Sequence, residues 1–241
     1  MSLLEIQHVS KTFNGLRAVD DVSFSLEQGD NLAIIGESGC GKTTVAKMMM
    51  GLVTPDSGNI KAEYKSLQMV FQDPNMSLDP LWNVRGILQE AFWHKPRHLP
   101  EVPRLSQQEK MEKMMVAVGL SPEVLGRFPH EFSGGERQRI AIARALLADP
   151  RVLILDEAVS ALDTLVQKQI MDLLRKLKQD FDLSYIFISH NLRLVRNFSD
   201  KIVVMYQGKI VEEGLVSTIL QTPKHPYTKQ LLQAAFFTDF K

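Results

Sequence analysis

Residues 36 to 44 read GESGCGKTT, matching G-x-x-x-x-G-K-[ST], and the apolar run LAII stands directly before them. Strand, glycine-rich loop and helix start, in that order, form the context in which such a loop cradles phosphates. Gly36, Gly39 and Gly41 let backbone N–H groups wrap the anion, so the loop residues Glu37, Ser38, Cys40 and Thr44 are expected at the ligand too. Lys42 brings positive charge to the outer phosphates, and the Thr43 hydroxyl is a ligand for Mg²⁺. A glycine-rich turn is the bland alternative, but motif and context agree on a nucleoside triphosphate. Phosphoryl transfer also needs a metal-ordering carboxylate and a group that positions the attacking water. VLILDEA (152 to 158) offers Asp156 for Mg²⁺ and Glu157 as the base. Alone, Asp-Glu is an ordinary solvated strand end; after a phosphate loop it reads as a catalytic pair. YIFISH ends a further run at His190, and ligands gather at the carboxyl ends of parallel strands. A lone histidine is more often structural, so His190 needs support from elsewhere.

A second anion loop is suggested by EFSGGERQR (131 to 139), just before the helical run IAIARALLA. Ser133 can lend a hydroxyl, Gly134 and Gly135 expose N–H groups, and the helix that follows has a positive end. The spacing Ser133-x-x-Glu136 is also a capping box, worth about 0.5 to 2 kcal/mol to the helix itself. The two readings coexist, although a cap does not need two glycines.

The elements that must position these residues follow from hydrophobic patterning. Residues 3 to 9 and 22 to 26 alternate as half-buried strands, with a turn at Asn14 and Gly15 between them. Continuous apolar runs at 32–35, 69–71, 152–155, 185–189 and 202–205 suggest strands covered on both faces. Helical patterns at 43–50, 137–148 and 165–179 alternate with them, which predicts an α/β chain with a mainly parallel sheet. Residues 86 to 148 have no strand-like run and read as a helical insert, interrupted by the proline-rich HKPRHLPEVPRL (94 to 105).

Composition narrows the classes. The chain has 241 residues, 44% hydrophobic and 23% charged, enough for one large core with a small lobe. Lys plus Arg and Asp plus Glu balance at 28 each, so no overall basic field recruits nucleic acid. Cys40 is the single cysteine, which excludes an internal disulfide or cysteine metal cage and fits a reducing compartment, the cytoplasm by default. No stretch approaches the roughly 18 apolar residues of a membrane span, so any service to a membrane runs through a partner. Cys40 sits at the amino end of a helix beside Lys42. Both favour thiolate over thiol, burial opposes it, and the expectation leans to a reactive thiol shielded by Mg²⁺-ATP.

In combination and order, Phe13, Gly36 to Thr44, Gln72, Ser133 to Gly135, Asp156 with Glu157, Asp163 and His190 resemble the nucleotide-binding subunit of an ABC transporter, over nearly the whole chain. The resemblance implies one ABC ATPase domain over 1–241, of the P-loop NTPase class. Its RecA-like, mainly parallel sheet and small N-terminal antiparallel β lobe would occupy 1–85 and 149–241, with a helical subdomain at 86–148. It implies ATP and Mg²⁺, with Phe13 stacked on the adenine and Gln72 sensing the γ-phosphate beside the metal ligands Thr43 and Asp156. Lys42, Gln72, Glu157 and His190 form its catalytic set, and Asp163 communicates across a dimer. Ser133, Gly134 and Gly135 would close over the ATP held by the other subunit of a head-to-tail dimer. Phe13 as a core residue after a strand remains the competing reading.

The implied partners are two integral membrane permease subunits, a second ATPase subunit, commonly non-identical in this branch, and an extracellular or periplasmic binding protein reached through the permease. The implied place is the cytoplasmic face of the cell membrane. MVFQDPNMSLDPLWNV (69 to 84) and KHPYTKQLL (224 to 232) resemble peptide and nickel importers, while Ala158, Val159 and HNLRLVR lean to the nickel side. Glu136 stands where the family usually has Gln, a charge expected to weaken closure unless turned toward Arg137 or Arg139. Leu78, Leu81 and Trp82 are expected to line a groove for a permease helix, with a core role for Trp82 as the alternative. A small-molecule kinase has no use for SGG followed by LDEA and SALD. A repair or translation ATPase keeps these motifs but adds long heptad arms or a second ATPase copy. An intact Glu157 disfavours a non-hydrolysing scaffold.

Overall fold

The structure, a computed structural model, describes residues 2–62, 67–93 and 104–237. Residues 94–103 of the expected proline-rich loop lie outside the described residues, as do residues 63–66 in the short link before Gln72. The described strands are β1 (Ser2–Phe13), β2 (Leu16–Glu27), β3 (Asn31–Ile35), β4 (Ser57–Ala62), β5 (Leu67–Val70), β6 (Val152–Asp156), β7 (Ser184–Ile188), β8 (Lys201–Tyr206) and β9 (Lys209–Leu215). The helices are α1 (Lys42–Met49), α2 (Pro74–Ser77), α3 (Val84–Gln89), α4 (Arg104–Ala117), α5 (Gly134–Leu147), α6 (Thr164–Phe181), α7 (Leu192–Phe198), α8 (Val216–Gln221) and α9 (Pro226–Phe237). Contacts divide the chain into one unit of Met1–Met69, Arg151–Glu157 and Asp182–Lys241 and a second of Val70–Pro150 and Ala158–Phe181.

In the first unit β1 pairs antiparallel with both β2 and β4, in the order β2-β1-β4. Asn14 and Gly15 join β1 to β2 with φ of 48° and 81°, the left-handed geometry of a tight hairpin that matches strand twist. Both strands are longer than their apolar alternation suggested, because register shifts along the β1–β2 pair interrupt the period of two. The larger sheet runs β5-β6-β7-β3-β8-β9. Its β6–β7, β7–β3 and β3–β8 ladders are parallel, while β9 returns antiparallel to β8. Every residue of β3, β6 and β7 is buried, as their unbroken apolar runs predicted. Because these neighbours are parallel, Ile35, Asp156 and Ile188 end at one edge of the sheet, and the loops that follow them meet there.

Among the described residues of the second unit, Val70 is the only one in a strand, and helices joined by turns make up the rest. α5 starts three residues earlier than its apolar period suggested, at Gly134, because Ser133 caps it. Arg144 of α5 donates to Ser77 O at 2.6 Å and pairs with Glu90, tying α5 to α2 and to the turn after α3. The insert expected over 86–148 falls inside this unit, which also holds Val70–Arg85 and α6. No helix among the described residues is long and apolar enough to cross a membrane.

Candidate functional site

The loop from Gly36 to Gly41 connects β3 to α1 and folds over Lys42. The Lys42 ammonium is buried and donates to Gly36 O and Glu37 O, each at 2.8 Å. Two carbonyls therefore hold the charge at the centre of the loop, at the amino end of α1. Gly41 is required by close approach: at its φ of 106° a Cβ would fall 2.4 Å from Ala18 O. Ser38 and Gly39 lie exposed along the loop, and Thr44 is half-buried in the first turn of α1.

Thr43 Oγ1 lies 3.5 Å from Asp156 Oδ1, so the hydroxyl of α1 faces the last residue of β6. Asp156 is buried, and that burial pushes its carboxyl above the ordinary carboxylate range; the Thr43 hydrogen bond opposes the shift. One carboxylate and one hydroxyl suit Mg²⁺, which keeps several waters and takes phosphate oxygens instead of an all-protein cage. Among the described residues, no group of three or more His, Cys, Asp or Glu side chains could hold a metal ion.

Glu157 follows Asp156 in the left-handed region, φ 48°, with its N–H held by Ile188 O at 2.9 Å. A non-glycine residue held there costs on the order of 1 kcal/mol or more, and such strain concentrates at functional sites. His190 Nδ1 lies 3.2 Å from Glu157 Oε1. The loops after β6 and β7 thus bring a carboxylate and an imidazole into contact, in the same unit as the phosphate loop. Phe13 stands exposed at the end of β1, with the Lys11 ammonium 5.5 Å from its ring centroid. It is a surface aromatic, and the core reading of it fails.

In the second unit, Ser133 and Glu136 form the reciprocal cap. Glu136 Oε2 accepts from Ser133 N and from Ser133 Oγ, each at 2.8 Å, while Ser133 Oγ accepts from Glu136 N at 3.4 Å. The bonds from Ser133 hold the Glu136 carboxyl below its ordinary value, with smaller help from Arg127 and Arg139. The Glu136 charge is therefore turned back onto the cap. Of the paired glycines, Gly135 has a packing reason of its own: a Cβ there would fall 2.6 Å from Val166 Cγ1. Gly134 would meet Leu162 only at an ordinary 3.6 Å. Asp163 caps α6, its Oδ1 accepting from Leu165 N at 3.1 Å and Val166 N at 3.0 Å. Gln72 Nε2 reaches Ser160 Oγ at 3.4 Å.

Two expectations need correction. Cys40 is buried, and burial raises its thiol pKa against the pull of Lys42, so the side chain is a packed thiol and not a reactive one. Its Sγ would lie 2.6 Å from a Cβ on Gly36, which shows how tightly it is enclosed. Leu78, expected in an exposed groove, is 2% exposed and belongs to the core, whereas Leu81 is 82% exposed. The residue that sequence reasoning passed over is Tyr227 on α9, whose hydroxyl accepts the Glu37 N–H of the phosphate loop at 2.8 Å. Its only sequence signal was KHPYTKQLL, a stretch read for branch and not for contact.

The profile of the family described as ABC transporter matches residues 19–160. The oligopeptide transport ATP-binding protein AppF of Bacillus subtilis is 43% identical over 97% of this chain and 78% of its own length. The probable D,D-dipeptide transport ATP-binding protein DdpF of Escherichia coli is 44% identical, covering 94% of this chain and 73% of that one. Among solved structures, CbiO1 of Clostridium perfringens, part of the ABC transporter complex CbiONQ, superposes with a TM-score of 0.81 at 24% identity, over 92% of this chain and 91% of that one. An ATP-binding cassette of an ABC transporter in its ADP conformation gives 0.80 at 24%, over 96% and 98%.

Proposed function

The chain belongs to the ABC transporter family of ATP-binding proteins, and on that premise we propose that it is the ATPase subunit that powers a peptide importer. In this reading it works at the cytoplasmic face of a membrane, beneath two permease subunits and beside a second ATPase, with an external binding protein delivering the cargo. The observation that carries it is the convergence of the Lys42 loop, the Thr43–Asp156 pair and the Glu157–His190 contact at one sheet edge. The peptide cargo rests on the names of the relatives. Nickel or a metal chelate is the second reading, resting on Ala158, Val159 and the HNLRLVR segment. Uptake of labelled peptide against labelled nickel by the assembled transporter separates the two.

The residues take distinct parts in hydrolysis. Phe13 stacks on adenine, the loop N–H groups hold the phosphates, and the Lys42 ammonium keeps its two carbonyls and turns its third N–H to the outer phosphate oxygens. Thr43 and Asp156 would hold Mg²⁺, and the bound ion would supply positive charge against that on the phosphates; Gln72 is the residue expected to sense the γ-phosphate. Glu157 takes the proton of the attacking water as oxygen bonds to the γ-phosphorus and the bond to the bridging oxygen breaks, leaving ADP and phosphate. His190 holds the Glu157 carboxylate in position and faces the γ-phosphate.

Ser133, Gly134 and Gly135 serve the nucleotide of the second ATPase, and Asp163 the contact between the two. For that service the Ser133 proton must leave Glu136 for phosphate. The isolated chain should therefore turn over ATP slowly, and adding its partner ATPase should raise the rate. Ser133→Arg should remove the rise while ATP still binds, and Glu157→Gln should cut turnover by about 10² to 10⁴ in the assembly. An isolated chain as fast as the assembly, or full turnover by Glu157→Gln, would sink the reading.

A further inference from the structure

The Tyr227 hydroxyl accepts the Glu37 N–H at 2.8 Å, and Gly36 O accepts from Lys42 Nζ at 2.8 Å. Those two groups belong to one peptide unit, the bond between Gly36 and Glu37. A peptide unit is planar and trans, so its N–H and C=O point in opposite directions and turn together. Holding the N–H from one side therefore aims the carbonyl on the other. Gly36, with φ 154°, gives the backbone beside this peptide a freedom that other residues lack. The peptide could rotate there unless something outside the loop held it.

Tyr227 is well placed to be that hold. It is 6% exposed, and its ring stacks on Tyr206 at 4.3 Å with a 27° interplanar angle. Tyr206 ends β8, and the turn after it ties back to the same loop through Gly208 N and Cys40 O at 3.2 Å. The approach to α9 is fixed as well: Glu212 of β9 accepts from Lys224 N at 2.8 Å and His225 N at 3.0 Å. At the far end of α9, the Arg196 guanidinium of α7 lies 5.3 Å from the Phe236 ring centroid. The helix is thus anchored at both ends, with a hydroxyl on the phosphate loop between.

We propose that Tyr227 is a positioning residue for Lys42, acting through the Gly36–Glu37 peptide, and that α9 is thereby a lever on the phosphate loop. The proposal rests on reading that loop as the ATP site. Whatever displaces α9 relaxes the peptide, frees the Gly36 carbonyl and leaves the ammonium less well aimed. Ring packing alone is the competing role, and it predicts no effect from loss of the hydroxyl.

Titration with a fluorescent ATP analogue compares wild type, Tyr227→Phe, Lys42→Ala and the double variant. Tyr227→Phe keeps the ring and should bind about three- to tenfold more weakly, the range expected for one lost hydrogen bond. On the Lys42→Ala background the same change should cost almost nothing, since the two act through one peptide. Equal affinity for Tyr227→Phe and wild type, or an undiminished loss without Lys42, overturns the proposal. Tyr206→Phe, which keeps the stack, serves as a control and should bind like wild type. Amide hydrogen exchange reads the contact independently, and it does so in the wild-type protein should Tyr227→Phe fail to fold. The Glu37 amide should be protected, and protection should fall in Tyr227→Phe; a freely exchanging Glu37 amide in wild type rejects the contact. Wild type that binds no nucleotide while its Glu37 amide is protected would reject the ATP reading of the loop and leave the contact standing.

Discussion

Asp156 is a carboxylate that folding disfavours and ligand binding would use. Its folded pKa lies above the unfolded value because burial penalises the charged form. The folded state therefore holds its proton to higher pH than the unfolded state, so the contribution of Asp156 to stability falls as pH rises above the usual carboxylate range. Asp156→Asn keeps an acceptor for Thr43 and removes the charge. The nucleotide-free variant should melt above wild type at neutral pH, and the gap should close as pH falls toward the unfolded pKa. Thermal melts across pH check this, and an Asn variant that melts below wild type at neutral pH refutes it. Burial likewise disfavours the thiolate of Cys40 against the pull of Lys42. Maleimide should label it far more slowly in the native protein than in urea, with little change on adding Mg²⁺-ATP. Rapid native labelling would mean that helix end and ammonium outweigh burial after all.

At the scale of elements, the start of α5 shows that one residue serves two demands. Ser133 closes a reciprocal cap with Glu136, and Gly135 lets α5 approach Val166 of α6. The glycine pair suggested an anion, and packing explains one of the two without it. Gly135→Ala should destabilise the protein by about 1 to 3 kcal/mol through overpacking, although alanine is the better helix former by about 1 kcal/mol. Val166→Ala in the same chain should recover part of the loss by making room. Urea midpoints of the single and double variants measure the coupling, and simple additivity would show that the approach is not the cause.

For the whole molecule, the exposed apolar surface of the helical unit points to assembly. Leu81 is 82% exposed and Trp93 62%, and Trp82 packs edge-on against Trp93 at 5.5 Å. Aromatic anchors standing out of a surface are what a partner helix buries. We propose that these residues receive the permease helix, while Leu78 is a buried core residue and takes no part. Trp82→Ala should leave a folded ATPase whose hydrolysis no longer drives uptake, measured in the reconstituted transporter. Coupled transport at wild-type efficiency would exclude the role; the alternative reading of Trp82 as a core residue fails, since it is 36% exposed.

How much was legible in the chain follows from the range over which each signal acts. The glycine-rich loop before α1, the Asp156–Glu157 strand end, the buried strands β3, β6 and β7 and the capping box were readable, because each is written in a few consecutive residues. Glycine spacing, unbroken apolar runs and Ser-x-x-Glu act locally, whatever the rest of the chain does. The strand β9 was not, since an exposed edge strand such as KIVEEGL lacks the apolar period that marks a buried one. The burial of Cys40 and Leu78, the Gly135–Val166 approach and the Tyr227–Glu37 bond were decided only in the tertiary structure. Each depends on atoms far apart in sequence, Tyr227 and Glu37 being separated by 190 positions. Local pattern states what a residue is able to do; packing decides which of those abilities the folded chain leaves open.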